Sequence, residues 1–220
     1  MTPRDPASND RKLFIAVEGP IGIGKTILVK WLSEQLNYTP YYEPLHGELG
    51  ILREMFYDNP DKHALNLQIR IFMHRFKQHQ QILINNEGAV QDRSLFGDKP
   101  FAYMLHDDGI ISAEEIRTYE ITWEVFRPFI VYPDIMIFLT APTDILMRRI
   151  VQRSRRGETA ITEAYLEKLN DYIVYSLKNE MSNAGVRCIV HSWDDPNNRR
   201  DTLLKQLQDE CNRPIPKWRC

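Results

Sequence analysis

The sequence predicts an α/β fold, a mainly parallel five-stranded sheet flanked by helices on both faces. Three observations predict it. Short apolar runs of strand formers alternate with longer stretches of helical periodicity. The first run, KLFIAV from Lys12 to Val17, stops at Glu18 and a glycine-rich turn that opens directly into a helical pattern. The run DIMIFLT, Asp134 to Thr140, is a clear central strand.

The elements follow in order. After the strand Lys12 to Val17, a helix spans Thr26 to Leu36 and closes before a second, aromatic-rich strand, Tyr38 to Tyr42, ended by Pro44. A long helix runs from about Ala64 to Asn85. Gly88 to Gln91 forms a short strand before the polar triplet DRS, and one or two helices occupy Ala113 to Val131. The strand Asp134 to Thr140 precedes a helix from Thr143, an Arg-rich loop, a long helix over Ala164 to Met181 and a fifth strand, Val186 to His191. One domain accounts for residues 1–220, with 1–11 a flexible tail and about 153–160 a lid. Ligands of such a sheet bind at the carboxyl ends of the strands.

Composition excludes several classes. A formal net charge of −2 gives the chain no electrostatic case for nucleic acid or an anionic membrane, so any anion site is local. No apolar run approaches the length of a membrane span, and the start MTPRDPASND lacks the character of a signal or transit peptide, which predicts a cytoplasmic protein. Three cysteines, Cys188, Cys211 and Cys220, have neither metal-knuckle nor disulfide spacing and imply a reducing compartment.

The chemistry begins with GPIGIGKT after the first strand. Gly19, Gly24, Lys25 and Thr26 satisfy the phosphate-loop (P-loop) pattern in its strand-to-helix context, with Gly22 inside it. Glycines let successive amides face one anion, the helix adds its positive end, Lys25 reaches the outer phosphates and Thr26 offers a hydroxyl to Mg²⁺. ATP or GTP binding follows. Asp92-Arg93-Ser94 stands at a strand end facing that loop, where Asp92 can hold the metal and Arg93 can neutralise a transferring phosphoryl group; a turn-capping Asp is the plainer reading. Arg148, Arg149, Arg153, Arg155 and Arg156 lie in RRIVQRSRRGE, either a solvated face or a lid that covers the γ-phosphate and excludes water. Glu43 in YYEP is either a general base for an attacking hydroxyl or a surface carboxylate before a proline. Gln68, Phe72 and Arg75 share one stripe of the long helix, a candidate pocket wall in which Gln68 can match a base edge and Arg75 can be held by Asp98. His63, His74 and His79 read as a partly solvated helix face.

Taken together, EGPIGIGKT, the EP dipeptide, FYDNPDKHALNLQ, DRS and RSRRGETAITEAYLEKL resemble the deoxyribonucleoside kinase family from about Lys12 to His191. The resemblance implies a P-loop kinase that uses ATP and Mg²⁺ to phosphorylate the 5′-hydroxyl of a deoxyribonucleoside in nucleotide salvage, as a homodimer. It implies Glu43 as general base, Asp92 and Arg93 at Mg²⁺, phosphate and 5′-hydroxyl, and Arg149, Arg153 and Arg155 as lid arginines. Tyr57 and Glu158 then grip the sugar 3′-hydroxyl, Gln68 reads the base, and the loop WDDPN, with Asp194, lies against adenine. Arg75 and Asp98 fall where the family's purine and deoxycytidine kinases carry Arg and Asp, which favours deoxyadenosine, deoxyguanosine or deoxycytidine over thymidine. Two departures stand out: EPLHGEL lacks the Trp that many animal members carry, and Arg156 and Gly157 occupy lid positions where an acidic residue often stands. The alternatives are a thymidylate kinase that recruits Arg70, Arg75 or Lys77 for the acceptor phosphate, and a non-catalytic ATP-binding relative.

Overall fold

The computed structural model describes residues 12–43, 47–155, 158 and 161–211, the side chains of 196–198 and 211 excepted. Five parallel strands, β1 (Phe14–Glu18), β2 (Thr39–Tyr41), β3 (Ala89–Asp92), β4 (Ile135–Thr140) and β5 (Arg187–Ser192), form one sheet in the order β2-β3-β1-β4-β5. β1 is central, with Val17 opposite Asp92 on one side and Ile137 on the other.

Alternation along the strands divides the core into two layers. Ile15 and Val17 of β1 and Ile135, Ile137 and Leu139 of β4 pack under α1 (Lys25–Leu36) with Leu28, Val29 and Leu32. Ala16, Met136 and Phe138 point the other way, into an aromatic layer with Phe72, Phe96, Tyr119 and Trp123. Helices therefore cover both faces, which explains why the central strands are apolar throughout. The aromatic layer is carried by α3 (Pro60–Asn85), α4 (Lys99–Asp107) and α5 (Ala113–Phe126), with a 3₁₀ turn, Phe96–Asp98, leading into α4. α3 starts on Pro60, whose missing N–H costs nothing in a first turn, and ends on Asn86 in the left-handed region. α5 starts on a capping box in which Ser112 and Glu115 satisfy each other's backbone N–H groups.

Three helices arise where the helical periodicity is weak. α2 (Glu48–Asp58) contains Gly50 and α4 has a Pro in its first turn; α9 (Pro196–Cys211) is so polar that, among the described residues, Leu203 and Leu207 are its fully buried apolar side chains. The rest of the right-hand half is α6 (Thr143–Arg153), α7 (Glu163–Asp171), a π-helical stretch Tyr172–Leu177 and α8 (Lys178–Asn183), so that the predicted helix over Ala164 to Met181 carries a bulge. His79 departs from expectation: it is buried against Phe14, accepts a hydrogen bond from Val131 N at 3.0 Å, and burial pushes its imidazole down to about 4. No described helix is long and apolar enough to cross a membrane.

Candidate active site

The loops at the carboxyl ends of β1 and β3 meet α3 and the end of α6 around one cleft of about 940 Å³, open solvent at its mouth included. Gly22, Gly24, Lys25, Thr26, Glu43, Tyr57, Gln68, Arg75, Asp92, Arg93, Asp98, Arg153, Arg155 and Glu158 all line it.

The phosphate loop occupies one end. Gly22 and Gly24 have φ of +83° and +95°, and a Cβ on Gly22 would stand 2.9 Å from the Ile150 side chain, so both conformation and space demand glycine. Lys25 donates to the carbonyls of Gly19 and Pro20 at 3.2 and 3.0 Å. Burial, reinforced by Arg93, pushes its ammonium down to about 7. A bound phosphate reverses that balance, because it supplies the counter-charge the buried ammonium lacks.

Across from it, Thr26 donates to Asp92 Oδ2 at 2.6 Å, while Asp92 Oδ1 is buried without a hydrogen-bond partner. A hydroxyl and a carboxylate with an unsatisfied oxygen, side by side at a phosphate loop, form the hard-oxygen donor set that suits Mg²⁺. No cluster of three His, Cys, Asp or Glu able to hold a metal occurs among the described residues, and Mg²⁺ needs none, since it takes remaining ligands from water and phosphate.

The acceptor end is organised by Arg75. Its Nε donates to Asp98 Oδ1 at 2.7 Å, Nη1 to the carbonyls of Asp92 and Arg93 at 3.2 and 3.1 Å, and Nη2 to Glu43 Oε1 at 2.8 Å. Burial opposes the charge on Arg75, and Asp98 and Glu43 outweigh it. Burial likewise disfavours ionised Glu43, yet Arg75, Arg93 and Lys25 hold its carboxyl down to about 2. Asp98, deeper, is pushed up to about 7 by burial despite Arg75. Gln68, two turns before Arg75, is buried on the same wall.

Arg93 sits at φ +62°, a left-handed conformation that costs a non-glycine residue about 1 to 3 kcal/mol. Its guanidinium lies over the Phe101 ring at 4.8 Å, 3.8 Å from Glu18 Oε2 and 4.0 Å from Glu43 Oε1. Glu18, to which the sequence reading assigned no role, is fully buried and accepts from Ser94 N and Oγ at 2.7 and 2.8 Å. Burial pushes it up, with Arg93 and the Ser94 hydrogen bonds pulling against that.

At the mouth, Arg153 and Glu158 form a bidentate pair at 2.7 and 2.6 Å. Burial, with Glu158 nearby, pushes the Tyr57 phenol up to about 12. Four expected site residues stand apart from the cleft lining. Phe72 is fully buried and packs edge-on against Trp123 and Phe126, so it backs the pocket wall from the aromatic layer. Arg149 donates to the carbonyls of Ile23, Trp193 and Asp194, at 3.2, 3.1 and 2.7 Å, which spends its guanidinium on tying the phosphate loop to the loop after β5. Asp194 accepts from Ser192 and Arg199 with its own side chain. Gly19 is the turn residue, packed against Leu139. Arg156 and Gly157, with positions 159 and 160 of the proposed lid, the tail 1–11 and Cys220 lie outside the described residues. Arg53, on α2, also lines the cleft and was missed; its position four residues before Tyr57, on the same helical face, was the available signal.

A phosphate loop that shares a cleft with an ionised carboxylate, a strand-end Asp-Arg pair and an Arg-bearing helix end defines the architecture of P-loop phosphotransferases. Within that class, the chain belongs to the deoxynucleoside kinase family, whose model matches residues 15–212. It is 35% identical over 155 residues to deoxyadenosine kinase of Dictyostelium discoideum, a match that covers 70% of this chain and 62% of that protein. It is 32% identical over 160 residues to deoxyadenosine/deoxycytidine kinase of Bacillus subtilis, covering 71% and 73%. Among solved structures, deoxyadenosine kinase from M. mycoides with bound dATP superimposes with a TM-score of 0.76 at 26% identity, over 89% of this chain and 99% of that one.

Proposed function

We propose that the chain transfers the γ-phosphate of ATP to the 5′-hydroxyl of a 2′-deoxyribonucleoside, with deoxyadenosine, deoxyguanosine or deoxycytidine preferred over thymidine. One observation carries the reading: the Arg75 guanidinium bonds Asp98 and Glu43 together, inside a cleft that opens onto the phosphate loop. The names of the relatives, deoxyadenosine and deoxyadenosine/deoxycytidine kinase, point the same way. A homodimer belongs to the proposal through the family resemblance, and a cytoplasmic setting through cysteines spaced for neither a metal knuckle nor a disulfide framework.

The geometry and the family resemblance together support the following roles. Lys25 and the loop amides hold the donor phosphates. Thr26 and Asp92 hold Mg²⁺, which supplies charge neutralisation on the phosphates when bound. Glu43, ionised at every physiological pH, accepts a hydrogen bond from the 5′-hydroxyl and orients its oxygen towards the γ-phosphorus. A carboxylate held this low is a weak base, so the proton moves to it late, as the new O–P bond forms and the hydroxyl becomes acidic. Arg93 faces the charge that develops on the transferred group, and Tyr57 with Glu158 holds the sugar. Gln68 meets the base edge, and Arg75, immobilised by Asp98, fills the space that a 5-methyl group needs and would be left badly paired by thymine.

The test is ATP-coupled turnover of the four deoxynucleosides, with thymidine monophosphate in parallel. A purine deoxynucleoside or deoxycytidine is expected to be fastest. Thymidine as the best substrate sinks the Arg75 argument, turnover of the monophosphate alone sinks the nucleoside reading, and ATP binding without any turnover leaves a non-catalytic relative.

A further inference from the structure

The cations of the cleft are unequally matched. Arg75 is paired with Asp98 and Glu43, and Arg153 with Glu158. Arg53 and Arg155 line the same space and, among the described residues, their guanidinium groups have neither an ion-pair nor a hydrogen-bond partner; Arg53 Nε is buried as well as unpaired. Arg53 lies near enough to Glu43 and Tyr57 to lower both, and Arg153 and Arg53 add to burial in disfavouring charge on Arg155. Like charges crowd here around a gap. Arg155 is a lid arginine by the family resemblance, but a neutral nucleoside gives Arg53 nothing to neutralise, because Lys25 and Arg93 already face the transferring phosphate. The residues that sequence alone offered for an acceptor phosphate do not serve: Arg70 is paired with Glu48 at the surface, Arg75 is fully engaged and Lys77 is exposed.

We propose that Arg53, with Arg155, forms a subsite for a phosphomonoester dianion on the acceptor side, so that the cleft binds 2′-deoxynucleoside 5′-monophosphates and slowly phosphorylates them to diphosphates. This rests on the nucleoside kinase reading. In the step, an oxygen of the acceptor phosphate attacks the γ-phosphorus of ATP, the bond from that phosphorus to the β,γ-bridging oxygen breaks, and ADP leaves with the electron pair. The attacking oxygen is already ionised at neutral pH, since the second proton of a phosphomonoester is lost near pH 6. Glu43 therefore has no proton to accept, and its charge repels this acceptor. The two transfers make opposite demands on one carboxylate.

The experiment measures ADP and diphosphate formation from deoxycytidine and deoxyadenosine, and from their 5′-monophosphates, with wild type, Arg53→Leu, Arg53→Lys and Glu43→Gln. Binding of deoxycytidine monophosphate without ATP is measured alongside. Wild type is expected to form diphosphate. In Arg53→Leu the ratio of monophosphate to nucleoside kcat/KM should fall about tenfold or more, the scale of a lost charge-assisted hydrogen bond, with partial recovery in Arg53→Lys. In Glu43→Gln nucleoside turnover falls and monophosphate turnover rises. Nucleoside turnover without diphosphate from any variant overturns the subsite while leaving the kinase reading intact, as does an unchanged ratio in Arg53→Leu. If nothing turns over, the kinase reading fails, and equal affinity of wild type and Arg53→Leu for the monophosphate then overturns the subsite too.

Discussion

Replacing Arg75 by Met removes one charge and leaves a side chain of similar length at the centre of α3. In wild type the Glu43 carboxyl is held from its usual 4.5 to about 2, a difference worth about 3 kcal/mol in favour of the carboxylate. Burial is the largest influence on Glu43 and acts upward; Arg75 is the largest that acts downward, at 2.8 Å, whereas Arg93 is 4.0 Å away. Without Arg75, burial prevails, and Glu43 should titrate above 4.5. The assay is kcat/KM for the best deoxynucleoside from pH 4 to 9, with urea unfolding at each pH to confirm that the enzyme is folded. Wild type should show no acid limb from Glu43 above pH 4; Arg75→Met should show one near pH 5 or higher, and Arg75→Lys an intermediate one. Stability carries the same sign. A depressed carboxyl stabilises the fold above pH 4.5 and loses that contribution as pH falls towards 2, so the variant is weaker at neutral pH, by about 3 to 5 kcal/mol when the unpaired buried groups are included. Superimposable pH profiles for wild type and Arg75→Met would refute the account of Glu43.

Two more predictions concern the scaffold. A Cβ on Gly97 would stand 2.3 Å from the Glu18 carboxylate oxygens, so Gly97→Ala should displace the Glu18–Ser94 pair, cost about 1 to 3 kcal/mol and lower turnover; a variant with wild-type stability and kcat contradicts the packing described. His79, held at about 4 against a usual 6.5, contributes stability that is complete above pH 6.5 and fades as pH falls towards 4, in total about 3 kcal/mol. His79→Gln should flatten the urea-derived stability curve in that window, and an unchanged slope assigns the effect elsewhere.

Much of the architecture was legible because central strands and the phosphate loop are written locally. β1, β3, β4 and α1 need only apolar runs and glycines whose φ is positive, and their expected bounds fall within two residues of those observed. α9 was not, since a helix that buries two leucines on one edge of the sheet has too faint a stripe to read. The same limit governs the site. Residue types at strand ends announced Lys25, Thr26, Asp92 and Glu43, but pairing is a property of three dimensions. Nothing in the spacing tells that Arg149 is spent on three carbonyls, that Phe72 turns into the aromatic layer, or that Arg53 Nε is buried with no hydrogen-bond partner among the described residues. Glu18 reads as the end of a strand until Ser94 and Arg93 are seen to lean on it.

Arg149 gives α6 a second task. It fastens the middle of that helix to the phosphate loop and to the loop after β5, and one turn further on, about 6 Å along the axis, Arg153 grips Glu158 at the mouth of the cleft. In the proposed reaction the two substrates therefore act on neighbouring turns of the same helix. Whatever free energy the donor contributes by seating this helix, the acceptor must return in equal measure, so the affinity of each substrate is to be measured in the presence of the other.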